Sequence, residues 1–447
     1  MTKHHYLAKV VFEAPGAGDD DDLHQTTVRC NGRLFNINMA AAYIHDSPAI
    51  LARFQRFLLA QREFVYEEDP VTYEGPSAED ERNSFHQWLI TTFQPVFRAH
   101  APDVLPSFDP DAIRSGTARP LLAEYMFPQV FECRLEAQRD KARPLCVGKQ
   151  ADWIPPVNRI PADLLADLDR LRVPRYAPSE IAVAFENPGD ALREMPNRVL
   201  VDVDCSGYPD TACHLKLFLG GFEGSLVTEL RGHLRVLDAQ LSAHVRVIRL
   251  VGIVWLEEYA DASDKDKDGN PVTYPESLLG PVGGLLLTYV SEGWDGLLTS
   301  RVWGSPPAMR RQWADQVRET VTTLHKAGVM WGDAKPENVM VDGNNNAWLI
   351  DLGGGFTEGW VDEDKAGTKE GDLQGVAKIE EYLMDNDRFE MTSEDEQEDK
   401  YEDKRESERE FRELRGDYED REDEHEGDSR DLGREERSMS KRRKIQP

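Results

Sequence analysis

Leu324-His-Lys-Ala-Gly-Val-Met-Trp-Gly-Asp-Ala-Lys-Pro-Glu-Asn338 and, thirteen residues past its end, Asp351-Leu-Gly353 decide how this chain of 447 residues is read. Together they put a free carboxylate, a lysine, an amide and a second carboxylate at the ends of two short strands joined by an Asn344-Asn345-Asn346 turn. Those groups divide the work of moving a phosphoryl group. Asp333 is placed to accept the proton of an attacking hydroxyl, or to orient it, and Lys335 to sit beside the γ-phosphate and spread its developing charge. Asn338 and Asp351 are the candidate Mg2+ ligands, because that ion takes a few hard oxygens from protein and leaves its other positions to water and nucleotide phosphate. Gly353 and Gly354 free the backbone directly after Asp351.

In order, and nearly in spacing, these residues resemble the catalytic and metal-binding loops of eukaryotic-type protein kinases, which read H-R-D-x-K-P-x-N and D-F-G. Asp333-Ala-Lys-Pro-Glu-Asn338 leans to the serine/threonine branch. The longer run Asp351-Leu-Gly-Gly-Gly-Phe-Thr-Glu-Gly-Trp-Val361 is similar to D-x-G-G-G-x-T-x-G-W-V of the kinase-like proteins abundant in fungi, whose C-lobe is truncated. The resemblance spans roughly residues 180 to 383 and implies ATP and Mg2+ as cofactors. It also calls for a strand lysine that binds the α- and β-phosphates and a helix glutamate that holds it.

Both are found upstream. Ala212-Cys-His-Leu-Lys-Leu-Phe218 alternates like a half-buried strand with Lys216 as its central cation. After a Gly220-Gly221 break, Ser225 to Leu237 repeats Leu226, Leu230, Leu234 and Leu237 at helical spacing, with Glu229 beside that stripe. Alone, Glu229 reads as a solvated helix acid; its position after the lysine strand assigns it to Lys216. By the resemblance, His244 to Val254 leads from the lobe-bridging helix into the fourth strand, and Leu285 to Val290 forms the fifth strand and hinge, with Leu287 as gatekeeper. By the resemblance, the backbone of Thr288, Tyr289 and Val290 bonds the adenine edge.

Three departures from the pattern carry information. Glu186-Asn-Pro-Gly-Asp190 and Cys205-Ser-Gly207 offer one glycine each, so no residue is assigned to a phosphate-covering loop. Trp331-Gly332 replaces His-Arg, which argues against switching by activation-loop phosphorylation. Only about twenty residues separate Asp351 from Asp372, without A-P-E. Asp372 resembles the aspartate that supports the catalytic loop from a long helix, and it equally reads as the N-cap of a helix from 372 to 383.

The remaining chain sets the frame. Acids outnumber bases 83 to 53, for a net charge of −30, which argues against direct nucleic-acid binding. Five cysteines without C-x-x-C spacing read as reduced thiols, and no apolar window is long enough for a membrane span. These features predict an intracellular protein, cytoplasmic and, if Lys441-Arg-Arg-Lys444 serves as an import signal, nuclear. Tyr6 to Phe12 and Thr26 to Ile37 look like strands flanking a Gly/Asp loop at 16–22. Pro48 to Val65 and Glu79 to His100 look like amphipathic helices. Residues 101 to 180 are proline-punctuated, with Trp153-Ile-Pro-Pro156 and a short helix near Pro161 to Leu171. Asp264 to Asn270 imitates half of an EF-hand loop, but Pro275 stands where the bidentate Glu belongs, so it reads as a turn.

The predicted fold is α+β: a bilobal protein-kinase-like fold with a small β-rich N-lobe (176–290) and a shortened helical C-lobe (291–383). A mixed α/β N-terminal extension (1–175) precedes it and a disordered charged tail (384–447) follows. The expected function is ATP-dependent transfer of the γ-phosphate to a hydroxyl on an unidentified protein, with Asp333 as base. Two other readings stand beside it: a small-molecule kinase, and a pseudokinase-like scaffold that binds partners without turnover.

Overall fold

The computed structural model describes residues 8–15, 23–65, 77–149, 158–192, 194–203, 211–218, 223–257, 278–290 and 296–385. The Gly/Asp loop at 16–22, Trp153 to Pro156, Cys205 to Gly207, the Gly220-Gly221 break, the 264–270 turn and the charged tail from 386 onward, with Lys441 to Lys444, lie outside the described residues. The fold is α+β.

A first sheet is built from β1 (Ala8–Pro15), β2 (Leu23–Cys30) and β3 (Arg33–Ala40), followed by helices α1 (Ala41–Ile44), α2 (Pro48–Val65), α3 (Ala78–His100), α4 (Pro110–Arg114) and α5 (Leu122–Met126). It is completed by β4 (Val130–Gln138) and β5 (Lys141–Lys149), in the order β1-β2-β3-β4-β5 with β3 and β4 parallel. Thr26 to Ile37, expected as one strand, is a hairpin. Asn31 and Gly32 both take positive φ (52° and 83°), the geometry of a two-residue turn whose twist matches antiparallel strands. The amphipathic helices are where the periodicity puts them. Ser77 caps α3 in a reciprocal box with Asp80, and Phe54, Phe57, Phe85 and Phe93 bury their rings against the sheet. Each such ring contributes roughly 1.5–3 kcal/mol by leaving water.

The second sheet uses β6 (Asn158–Pro161), β7 (Arg175–Tyr176), β8 (Ala182–Val183), β9 (Arg198–Val201), β10 (Thr211–Leu217), β11 (Leu250–Trp255) and β12 (Leu278–Thr288). α6 (Ala162–Arg170) follows β6, and α7 (Glu223–Asp238) follows β10. The order is β7-β11-β12-β10-β9-β8, with β6 pairing the first half of β12. Residues 158–175, grouped by the sequence with the preceding extension, therefore contribute β6 and the start of β7 to this sheet. Its faces obey the period of two. Cys213, Leu215 and Leu286 pack toward Phe108, Leu122, Tyr125 and Met126, whereas Leu285 and Leu287 pack toward Leu164, Leu168, Leu226 and Leu230. α5 thus belongs to the core of the second sheet although the strands before and after it in the chain, β3 and β4, belong to the first.

The last elements are α8 (Leu298–Arg301), α9 (Pro307–Lys326), the hairpin β13 (Val339–Val341) with β14 (Ala347–Leu349), and α10 (Lys369–Met384). α9 ends at Gly328 (φ 77°), where Val329 N bonds Leu324 O, so the chain turns sharply into the segment that carries Asp333. The hairpin turn is gripped twice. Asp342 Oδ1 accepts the N–H groups of Asn344 and Asn346 and Oδ2 that of the Trp348 indole, while Gln316 and Trp313 of α9 bond Asn346, Ala347 and Asn345. Burial raises the Asp342 carboxyl, but those donors outweigh it and hold the group below the usual carboxylate range. No described helix is long and apolar enough to cross a membrane. Asp342→Ala should cost roughly 1–3 kcal/mol in urea denaturation; an unchanged midpoint would mean that α9 alone holds the turn.

Candidate active site

β10 points Cys213 and Leu215 into the core and turns His214 and Lys216 to the face that α7 approaches. Lys216 Nζ lies 2.6 Å from Glu229 Oε2 and 3.6 Å from Asp351 Oδ2. Glu229 is buried, so the solvated-acid alternative does not apply. Burial alone would push its carboxyl up, but the His233 imidazole and the Lys216 ammonium outweigh it and keep the group below the carboxylate range. α7 comes this close because Gly232 has no side chain: a Cβ there would overlap the Leu352 carbonyl.

The segment after α9 is held by Asp372. Its carboxylate accepts Trp331 N, Gly332 N and His325 Nε2 at 2.7–2.8 Å. The N-cap of α10 is Thr368, whose hydroxyl accepts Gly371 N, so the cap reading of Asp372 is corrected: Asp372 sits buried inside the first turn. Trp331, in place of the expected His, fills the core and bonds Ile350 O through its indole. Gly332 takes φ 101° and touches Gly354, where a Cβ would collide.

Asp333 follows directly, and both its oxygens are engaged. Thr357 Oγ1 donates to Oδ1 at 2.9 Å, and Lys335 Nζ lies 2.9 Å from both Oδ2 and Thr357 Oγ1. Asn338 Nδ2 bonds Asp333 O at 2.8 Å and Oδ2 at 3.2 Å, which leaves the Asn338 amide oxygen as the atom available to a cation. Asp351 is placed by β14, since Leu349 is bonded between Arg246 and Ile248 and Ile350 N bonds Asn338 O. Asp351 adopts φ 57°, an uncommon backbone for a non-glycine residue, and accepts Gly353 N on Oδ1. Its side chain remains 42% exposed. Among the described residues no group of three or more His, Cys, Asp or Glu could hold a metal.

A cavity of about 620 Å³ gathers Lys216, Glu229, Leu287, Thr288, Tyr289, Val290, Asn338 and Asp351 on one wall system. Asp333 and Lys335 do not line it and join it through Asn338. Thr288 lies at the end of β12. Its N–H bonds Arg249 O at 2.8 Å within the sheet, so it is not a free donor, and the backbone beyond the strand is that of Tyr289 and Val290. The β8–β9 connection closes the opposite side, and Glu186, Asp190 and Glu194 line the cavity there. It is fastened from outside by Tyr125 Oη to Ala191 O and by Lys9 to Glu194 at 3.6 Å.

Thr357 and His325 had no role in the sequence reading. Thr357 stood in the quoted glycine-rich run, and His325 in the opening stretch itself, but a hydrogen bond across a fold leaves no periodic signal. No family model matches the chain, and no curated protein matches it. Because folding depresses the Glu229 carboxyl, its contribution to stability is complete above the unfolded value near 4.5 and is lost as pH falls through the lower folded value. Thermal midpoints of the wild type should exceed those of Glu229→Gln at neutral pH and converge with them on acidification; a gap independent of pH would contradict this.

Proposed function

We propose that the chain is an ATP-dependent phosphotransferase of bilobal protein-kinase-like build, with serine/threonine-type chemistry. The second sheet with α7 would form the N-lobe, and α8 to α10 with the β13–β14 hairpin the shortened C-lobe. The observation that carries this reading is the convergence of Lys216, Glu229, Asn338 and Asp351 on one cavity, from positions spread over four elements. The donor set fits Mg2+ and nucleotide: a hard carboxylate, a free amide oxygen and an ammonium beside a mostly apolar cleft.

When bound, Mg2+-ATP supplies the transferable phosphoryl group and the neutralisation of its charge. Asn338 and Asp351 would hold the metal, and Lys216, fixed by Glu229, would hold the α- and β-phosphates. Asp333 orients the acceptor hydroxyl and takes its proton, its carboxylate aimed by Thr357 and Asn338. Lys335, paired to Asp333, stands ready to offset negative charge on the group in transfer. Asp372 positions the whole segment and takes no part in the chemistry.

The scaffold reading has one observation in its favour. Three acids of the β8–β9 connection line the cavity where backbone N–H groups would cover phosphates, a field that opposes a polyanion. Calorimetry of the full chain with Mg2+-ATP separates the two. Asp351→Ala should weaken binding at least about tenfold, whereas Asp333→Ala should bind near normally and lose transfer by roughly 10²–10⁴. Absence of binding by the wild type at millimolar nucleotide would favour the scaffold.

A further inference from the structure

His233 stands one helical turn after Glu229 on α7, fully buried, with Nε2 3.7 Å from Glu229 Oε1. Among the described residues neither ring nitrogen has a hydrogen-bond partner, and neither does Glu229 Oε1. The other carboxylate oxygen, Oε2, is committed to Lys216. Two buried polar groups that nothing else claims therefore face each other, just outside bonding distance, behind the lysine pair.

Packing alone does not explain an imidazole here. The neighbouring buried positions of the helix are Leu226, Leu230, Leu234 and Val236. A leucine at 233 would fill the space without the cost of burying an unpaired polar ring.

We propose that His233 is a positioning residue for the nucleotide-binding pair: its Nε2–H donates to Glu229 Oε1 and so turns Oε2 toward Lys216. The inference rests on the nucleotide site proposed above. With Oε1 engaged, Glu229 holds the ammonium through one oxygen only. Lys216 then keeps N–H groups directed toward Asp351, 3.6 Å away, and toward ligand phosphates. With Oε1 released, the carboxylate is free to take the ammonium with both oxygens and draw it from the cavity.

Three variants of the full chain test this: His233→Leu, His233→Gln and Glu229→Gln. His233→Leu should melt at or above the wild-type temperature yet bind Mg2+-ATP about tenfold more weakly, the loss of one hydrogen bond to a charged group. His233→Gln, whose amide can donate, should stay within about threefold of the wild type. Imidazole 15N NMR, assigned by the signal missing in His233→Leu, should report the Nε2–H tautomer and a shift of that nitrogen in Glu229→Gln. Unchanged affinity in His233→Leu, or an Nδ1–H tautomer indifferent to Glu229→Gln, would overturn the proposal. A wild type that does not bind nucleotide defeats the proposed function instead, and the NMR measurement still decides the His233–Glu229 bond.

Discussion

One buried carboxylate organises the segment that carries Asp333, Lys335 and Asn338. Asp372 accepts two consecutive backbone N–H groups and an imidazole nitrogen, and the residue after those amides is Asp333. Hydrogen bonds to an ionised group contribute about 1.5–3 kcal/mol each, and both amides are buried. Around that anchor the chain makes room by omission. Gly332 meets Gly354, and Gly375 of α10 meets the Ala334 carbonyl, so side chains at either glycine would force the segment off its support. The positions of Asp333, Lys335 and Asn338 follow from this grip, and Thr357 bonds Asp333 and Lys335 from the loop after β14.

The Lys216 side of the site is organised by charge. Lys216 lies between Glu229 and Asp351, and Glu229 in turn backs onto His233, so a line of alternating partners runs from the buried face of α7 to the cavity. Glu186, Asp190 and Glu194 line the same cavity; Glu186 lies 3.9 Å from Arg198 and Glu194 3.6 Å from Lys9. The wall is less negative than its composition suggests, and its neutralising cations come from β9 and from β1 of the first sheet.

Much of this was legible in the chain. Period-two alternation located β10 and Lys216, leucine spacing located α7 and Glu229, and the amphipathic stripes located α2 and α3. What stayed hidden depends on pairings between distant residues. The Asn31-Gly32 turn was locally visible, yet it was absorbed into one apolar run from Thr26 to Ile37. Thr357 against Asp333, His325 against Asp372, and Arg249 against Thr288 are contacts across 24, 47 and 39 positions that no local pattern announces. The true cap of α10, Thr368, was masked by an aspartate with a stronger claim elsewhere.

The route of the chain between the sheets has a consequence for how the protein is made. β3 pairs in parallel with β4, Leu34 beside Val130, and the intervening residues include α5, whose Tyr125 and Met126 pack under the second sheet. The first sheet therefore closes only after about a hundred residues have emerged, and the segment closing it contributes to a core whose strands lie still further along. Such long-range closure slows folding. It also means that no single cut separates the two sheets: a shortened chain beginning near residue 176 would lose β6, β7 and the aromatic floor of the very sheet it was meant to isolate.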